Sequence, residues 1–185
     1  MLKDILIKTA EQQVLSLFAT NPEKSYYTRE ISKTAKMSLG AASIALRQLE
    51  KCGILVIEKI GRTKLYKLKE PNPYIRNFKI LNILLILESL IEKLRSISRR
   101  VIIYGSYSTG TFTAESDLDI FLVSEKKEEI LKAIDHFQRK MAIEIRPIIK
   151  SQIEWMELEK SSPEFFEELN RGIPVWEKPV DESGI

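Results

Sequence analysis

Residues 103–123 read IYGSYSTGTFTAESDLDIFLV, and this stretch decides the fold of the C-terminal half of the chain. An apolar run, Val101 to Tyr104, stops at Gly105-Ser106. Ten residues later Asp117-Leu118-Asp119 leads straight into a second apolar run, Ile120 to Val123. Both runs have strand character, and the Gly-Ser break marks a turn into a short helix. Alternate residues of a strand share a face, so Asp117 and Asp119 are predicted to project together, about 6–7 Å apart along the strand. Two carboxylates so placed repel each other unless a cation sits between them. Hard oxygen ligands of this sort suit Mg²⁺ or Mn²⁺, and Mg²⁺ leaves its other positions to water and substrate phosphates. The backbone N–H groups of the Gly105-Ser106 turn are of the kind that holds phosphate. A phosphate cradle beside a carboxylate pair implies nucleotidyl or phosphoryl transfer. The competing reading is a surface hairpin that happens to carry two aspartates.

Gly105-Ser106, ten residues and Asp117-x-Asp119, with Gly110 four residues after the serine, resembles the signature of the DNA polymerase β-like nucleotidyltransferases, especially their minimal members. The resemblance covers roughly residues 80–178. It implies a mixed sheet in which Asp117 and Asp119 hold Mg²⁺ against a nucleoside triphosphate, ATP being the expected donor. Gly105 and Ser106 would grip the terminal phosphates. An acceptor hydroxyl would attack the α-phosphorus in line, and pyrophosphate would leave. The family also needs a third carboxylate from a neighbouring strand. Residues 141–149, MAIEIRPII, alternate apolar and charged, and by the resemblance Glu144 completes the metal site or acts as base. Arg146 shares its face and could pair with Glu144 or touch substrate. A solvated edge strand with two ordinary charges is the other reading. The resemblance admits a protein hydroxyl, a small molecule or an RNA end as acceptor. Relatives of this type often work beside a small helical protein, as the antitoxin half of a toxin–antitoxin pair. Lack of the extra domains of tRNA-terminal or poly(A) enzymes makes a protein or small molecule the expected acceptor.

The charge distribution divides the chain. Residues 1–70 carry 13 basic and 7 acidic residues, net +6, whereas residues 101–185 carry 10 and 17, net −7. A basic N-terminal part is the better candidate for contact with a polyanion. One cysteine and one histidine form neither a disulfide framework nor a zinc site on their own. Cys52 is expected as a small buried residue, and His136 on the surface. The N-terminus is too charged for a signal peptide. The longest apolar run, Ile83 to Leu87, is far short of a bilayer span. A soluble, cytoplasmic protein without membrane contact is expected.

In the basic half, apolar positions from Ile5 to Phe18 predict one amphipathic helix over 4–19. A second starts with Thr28 as N-cap, and a third follows Ser38 and stops at Gly53. Residues 54–60 and 64–68 alternate as a hairpin around Gly61-Arg62-Thr63. Three helices and a hairpin in this order resemble a winged helix-turn-helix domain. The resemblance implies duplex DNA as a partner, with Ser43, Arg47, Arg62 and Lys64 as contacts and Lys33 and Lys36 adding phosphate contacts. Dimerisation or docking of a protein partner is the alternative use of the same surface.

Pro71-Asn72-Pro73 interrupts any regular element. Residues 74–98 form a long helix, apolar on most sides, whose coverage suggests a homodimer. Beyond the aspartates, a helix over 125–140 is expected to bury Ile130, Leu131, Ile134 and Phe137. Two short helices divided at Ser161-Ser162-Pro163 and a closing strand near 173–176 complete the chain. Trp155 and Trp176 are read as core or interface aromatics. The expected class is α+β, with a winged helix-turn-helix domain over 1–70, a linker over 71–79, a nucleotidyltransferase domain over 80–178 and a tail over 179–185. The alternative function is a DNA-binding regulator whose C-terminal domain only senses nucleotide.

Overall fold

The computed structural model describes residues 2–61, 63–141 and 143–179. By its internal contacts the chain divides into two compact units, one comprising residues up to Ile86 with Thr113–Glu115, the other Leu87–Phe112 and residues from Ser116 on.

In the first unit, α1 (Leu2–Leu6) and α2 (Ala10–Thr20) replace the single helix expected over 4–19. The break follows from chemistry at Thr9. Its hydroxyl accepts the Gln12 N–H at 3.2 Å, and its own N–H is bound by the Gln12 side chain at 3.0 Å. This reciprocal cap starts a new helix inside a polar stretch that offers no apolar stripe to continue the old one. A two-residue strand, β1 (Tyr26–Tyr27), precedes α3 (Thr28–Thr34). Thr28 is thus the first helical residue and not the cap. Tyr27 takes that place, its N–H donating to Glu30 at 2.8 Å. Lys36 adopts φ +52° in the turn before α4 (Leu39–Lys51), where the Ser38 hydroxyl caps Ala41 N–H at 3.1 Å. The hairpin β2 (Leu55–Ile60) and β3 (Thr63–Leu68) pairs antiparallel, and β1 joins it to give the order β1-β3-β2. Val14, Phe18, Tyr26, Ile31, Leu46 and Tyr66 form the core beneath, Phe18 meeting the Tyr26 ring edge-on at 5.1 Å. Each such fully buried side chain contributes roughly 1.5–3 kcal/mol of transfer free energy. Cys52 is exposed, against expectation. The buried stripe of α4 ends at Leu49, and Cys52 lies at the helix's C-terminal cap, past the last packed turn.

α5 (Pro73–Ile97) begins close to the expected position. In its first half Lys79, only 1 % exposed, pairs with Glu70 at 3.4 Å. Asn82 is hydrogen-bonded with Ser16 and donates to Thr20 at 3.1 Å. These are paired polar groups, as burial requires.

The second unit is built on a four-stranded mixed sheet, β4 (Arg100–Tyr104), β5 (Leu118–Val123), β6 (Ile145–Lys150) and β7 (Ile173–Glu177), in the order β6-β5-β4-β7. β5 runs parallel to β6, and β4 is antiparallel to β5 and β7. α6 (Gly105–Thr109) leaves β4, and α7 (Lys127–Met141) crosses over between β5 and β6. α7 buries Ile130, Ile134 and Phe137, but Leu131 is 43 % exposed, because it lies about 100° around the helix from Ile130. α8 (Gln152–Ser161) and α9 (Pro163–Asn170) precede β7 and cover one face of the sheet through Leu158 and Leu169, packed with Ile102, Tyr104, Phe121 and Val123. Trp155 tilts against Phe121 at 5.5 Å and carries the Arg100 guanidinium over its ring at 4.6 Å. Trp176 donates to the Ser98 carbonyl at 3.1 Å. Among the described residues no helix is long and apolar enough to cross a membrane.

Candidate functional site

The register of the sheet determines which side chains meet. Tyr104 faces Asp119, Ile102 faces Phe121, and Asp119 faces Arg146 across the parallel pair. Strand alternation therefore puts Asp117, Asp119 and Arg146 on the same sheet face as the α8–α9 cluster, at the end where β4 gives way to α6. The leucine and isoleucine between and after them, Leu118 and Ile120, turn to the opposite face and are buried.

Gly105 holds the turn. Its φ is +66°, and a Cβ built on it would lie 2.7 Å from Asp119 Oδ2. Both the backbone conformation and the space belong to glycine alone. The bare backbone of the β4–α6 turn is thereby pressed against the second aspartate. Gly110, at φ +70°, ends α6, and its N–H returns to the Ser106 carbonyl. Ser106 is half-buried, and its hydroxyl makes no hydrogen bond among the described residues. The loop back to β5 is braced by two aromatics. Tyr107 stacks on Phe112 with ring centres 4.2 Å apart, and the Tyr107 hydroxyl donates to the Ser116 carbonyl at 3.2 Å, next to Asp117.

Charge is concentrated here. Asp117 forms an ion pair with Arg146. The Asp119 carboxyl is pushed above its ordinary range, chiefly by burial and further by Asp117, while Arg146 pulls it back. The Tyr104 hydroxyl is pushed up to about 12 by burial, with Asp119 and Glu168 adding to the effect. Burial and Asp117 likewise raise Tyr107. Partly desolvated carboxylates that repel each other favour a bound cation. Asp117 and Asp119 are hard oxygen donors, a set that fits Mg²⁺ or Mn²⁺.

Glu144 stands apart. It precedes β6, its carbonyl accepts the Leu118 N–H at 2.8 Å, and its side chain is exposed with no ion pair among the described residues. The strand expected from residue 141 begins only at Ile145, because α7 continues to Met141. Among the described residues no three His, Cys, Asp or Glu side chains gather as a metal-binding group. The residue that reaches the aspartates from β6 is Arg146. Its presence on that face was readable from the alternation of residues 143–146, but its choice of partner was not. Tyr107 and Phe112 carried no sequence signal beyond being aromatic.

In the first unit Ser43, Arg47 and Lys64 line a cleft of about 1060 Å³ between α3, α4 and the hairpin, with Tyr27, Arg29 and Tyr66. Arg47 folds back along its own helix, donating to the Ser43 carbonyl at 3.2 Å. Lys33 and Lys36 are exposed. Arg62 lies outside the described residues.

Residues 84–172 match the family model described as a nucleotidyltransferase domain. The match contains Gly105, Ser106, Asp117, Asp119, Glu144 and Arg146, and it supports nucleotidyl transfer as the activity of this part of the chain. Among curated proteins none matches the chain. Two solved structures are similar over part of it. A proposed transcriptional regulator from Methanosarcina mazei Go1 is 19% identical over 51% of this chain and 83% of its own, with a TM-score of 0.35. A proposed nucleotidyltransferase from Sulfolobus solfataricus is 17% identical over 58% of this chain and 90% of its own, also with a TM-score of 0.35. The aspartate pair and the glycine turn thus lie within a segment that matches a nucleotidyltransferase domain.

Proposed function

We propose that the chain is a metal-dependent nucleotidyltransferase that moves AMP from ATP to a hydroxyl on a protein or small molecule. The observation that carries this reading is the contact of the Gly105 turn with Asp119, since it joins a phosphate-binding backbone to a cation-binding carboxylate. Asp117 and Asp119 would hold Mg²⁺ or Mn²⁺, which when bound neutralises phosphate charge and polarises the phosphoryl oxygens. The Gly105-Ser106 backbone and the Ser106 hydroxyl bind the terminal phosphates, and burial of the site on the α8–α9 side limits water. Glu144, exposed at the entrance to β6, is the candidate base for an incoming acceptor by the family resemblance. Catalysis rests on positioning and charge, with no covalent intermediate on the protein. With α-labelled ATP, label is expected to pass to an acceptor, a small helical protein being the first to test. Asp117→Asn or Asp119→Asn is expected to lower the rate at least about 100-fold, the scale of losing one electrostatic stabiliser. Undiminished transfer by both variants would refute the assignment.

The N-terminal unit is proposed to be a winged helix-turn-helix domain, and the chain a cytoplasmic homodimer. The cleft lined by Ser43, Arg47 and Lys64 supports a second reading, a DNA-binding regulator whose C-terminal unit senses nucleotide. Duplex binding that weakens steeply with salt, while label transfer is absent, would favour it.

A further inference from the structure

Nucleotidyl transfer at this site, the premise of the inference, carries the expectation of two cations, and the family resemblance that of a third carboxylate beside Asp117 and Asp119. The residues gathered around the aspartates do not supply that third ligand. β6 delivers Arg146 to the aspartates, in register with Asp119 and ion-paired with Asp117, whereas Glu144 stays exposed at the mouth of the strand. A guanidinium has five donors, no acceptor and a permanent charge, so it cannot ligate a metal. Held against Asp117, it also repels any second divalent ion from the outer side of the pair. Without nucleotide, the local charge of two carboxylates and one guanidinium is a net −1, which a single divalent ion more than offsets.

We infer that this site takes one divalent cation, and that Arg146, held on Asp117, supplies the positive charge that a second would bring. Asp117, with 17 % of its side chain exposed, is the sheltered partner, while Arg146, with 68 % exposed, presents the rest of its guanidinium to an incoming substrate. The arginine is therefore a positioning and charge-supplying residue, whose removal changes how cations bind.

The test is Mn²⁺ titration of the full chain, followed by the electron paramagnetic resonance signal of free Mn²⁺. The wild type is expected to bind one Mn²⁺ per chain. Arg146→Met is expected to keep that stoichiometry and to bind about tenfold more tightly, the scale of removing one nearby positive charge. Arg146→Glu is expected to add a second site. Because the guanidinium is exposed, these variants should fold, and far-ultraviolet circular dichroism checks it. Two Mn²⁺ per wild-type chain, or an unchanged affinity in Arg146→Met, overturns the inference and leaves nucleotidyl transfer standing. No Mn²⁺ binding by the wild type or either variant overturns both.

Discussion

At Gly105 the backbone and the second aspartate occupy space that a single methyl group would fill. Gly105→Ala places a Cβ 2.7 Å from Asp119 Oδ2 and forces an alanine into the left-handed region. The expected cost is about 1–3 kcal/mol, read by urea denaturation, together with loss of ATP binding. A variant with full stability and full binding would mean that the turn and the carboxylate are not in contact. Asp119 makes the second prediction. Burial raises its folded pKa, so the folded chain holds this proton more tightly than the unfolded one. Its contribution is complete below the ordinary carboxylate pKa and is lost as pH rises through the raised folded value. Asp119→Asn is therefore expected to be more stable than the wild type at neutral pH, with the difference closing towards pH 3 in thermal melts. A difference that grows on acidification would contradict this. Of the site, the aspartates and glycines were legible in the sequence because their spacing is fixed by a strand, a turn and a strand. The partner of Arg146 was not, because it depends on the register between β5 and β6, which are separated by the whole of α7, and periodicity says nothing about register.

Among helices and strands, the boundaries legible in the sequence are those that local chemistry decides. Ser38 capping α4, the split of α8 from α9 at Pro163 and the closing strand β7 all appear where the residues called for them. Expectation failed where an apolar pattern was extended across a polar gap, as over Lys8–Gln13, and where α7 claimed Met141 from the next strand. The start of α8 offers a direct check. Ser151 and Glu154 cap each other reciprocally, and Glu154 also meets Lys150 at 2.8 Å. The Lys150 bond and the Ser151 bonds hold the Glu154 carboxyl down at about 2. Its contribution is present above the ordinary value of 4.5 and lost as pH falls towards about 2. Ser151→Ala is expected to cost about 1 kcal/mol, measured at neutral pH, and to lessen the acid sensitivity of α8. No change in stability would show that the cap is not formed in solution.

Across the full chain, charge separates a basic N-terminal part from an acidic C-terminal one, while internal contacts group the residues into two compact units. The division falls within α5, at Ile86, and a helix that belongs to two cores cannot be cut by composition alone. A homodimer remains a proposal that light scattering can decide, since a mass of 21.4 kDa at micromolar concentration would exclude it. The functional reading stands or falls on whether the turn at Gly105 and the pair Asp117 and Asp119 form one nucleotide site. Calorimetric titration of ATP, with and without Mg²⁺, into the wild type and the Asp117→Asn/Asp119→Asn double variant decides it. Binding that requires Mg²⁺ and disappears in the double variant is the expected result. Failure to bind ATP, GTP, CTP or UTP in the presence of Mg²⁺, or equal binding by the double variant, would contradict it.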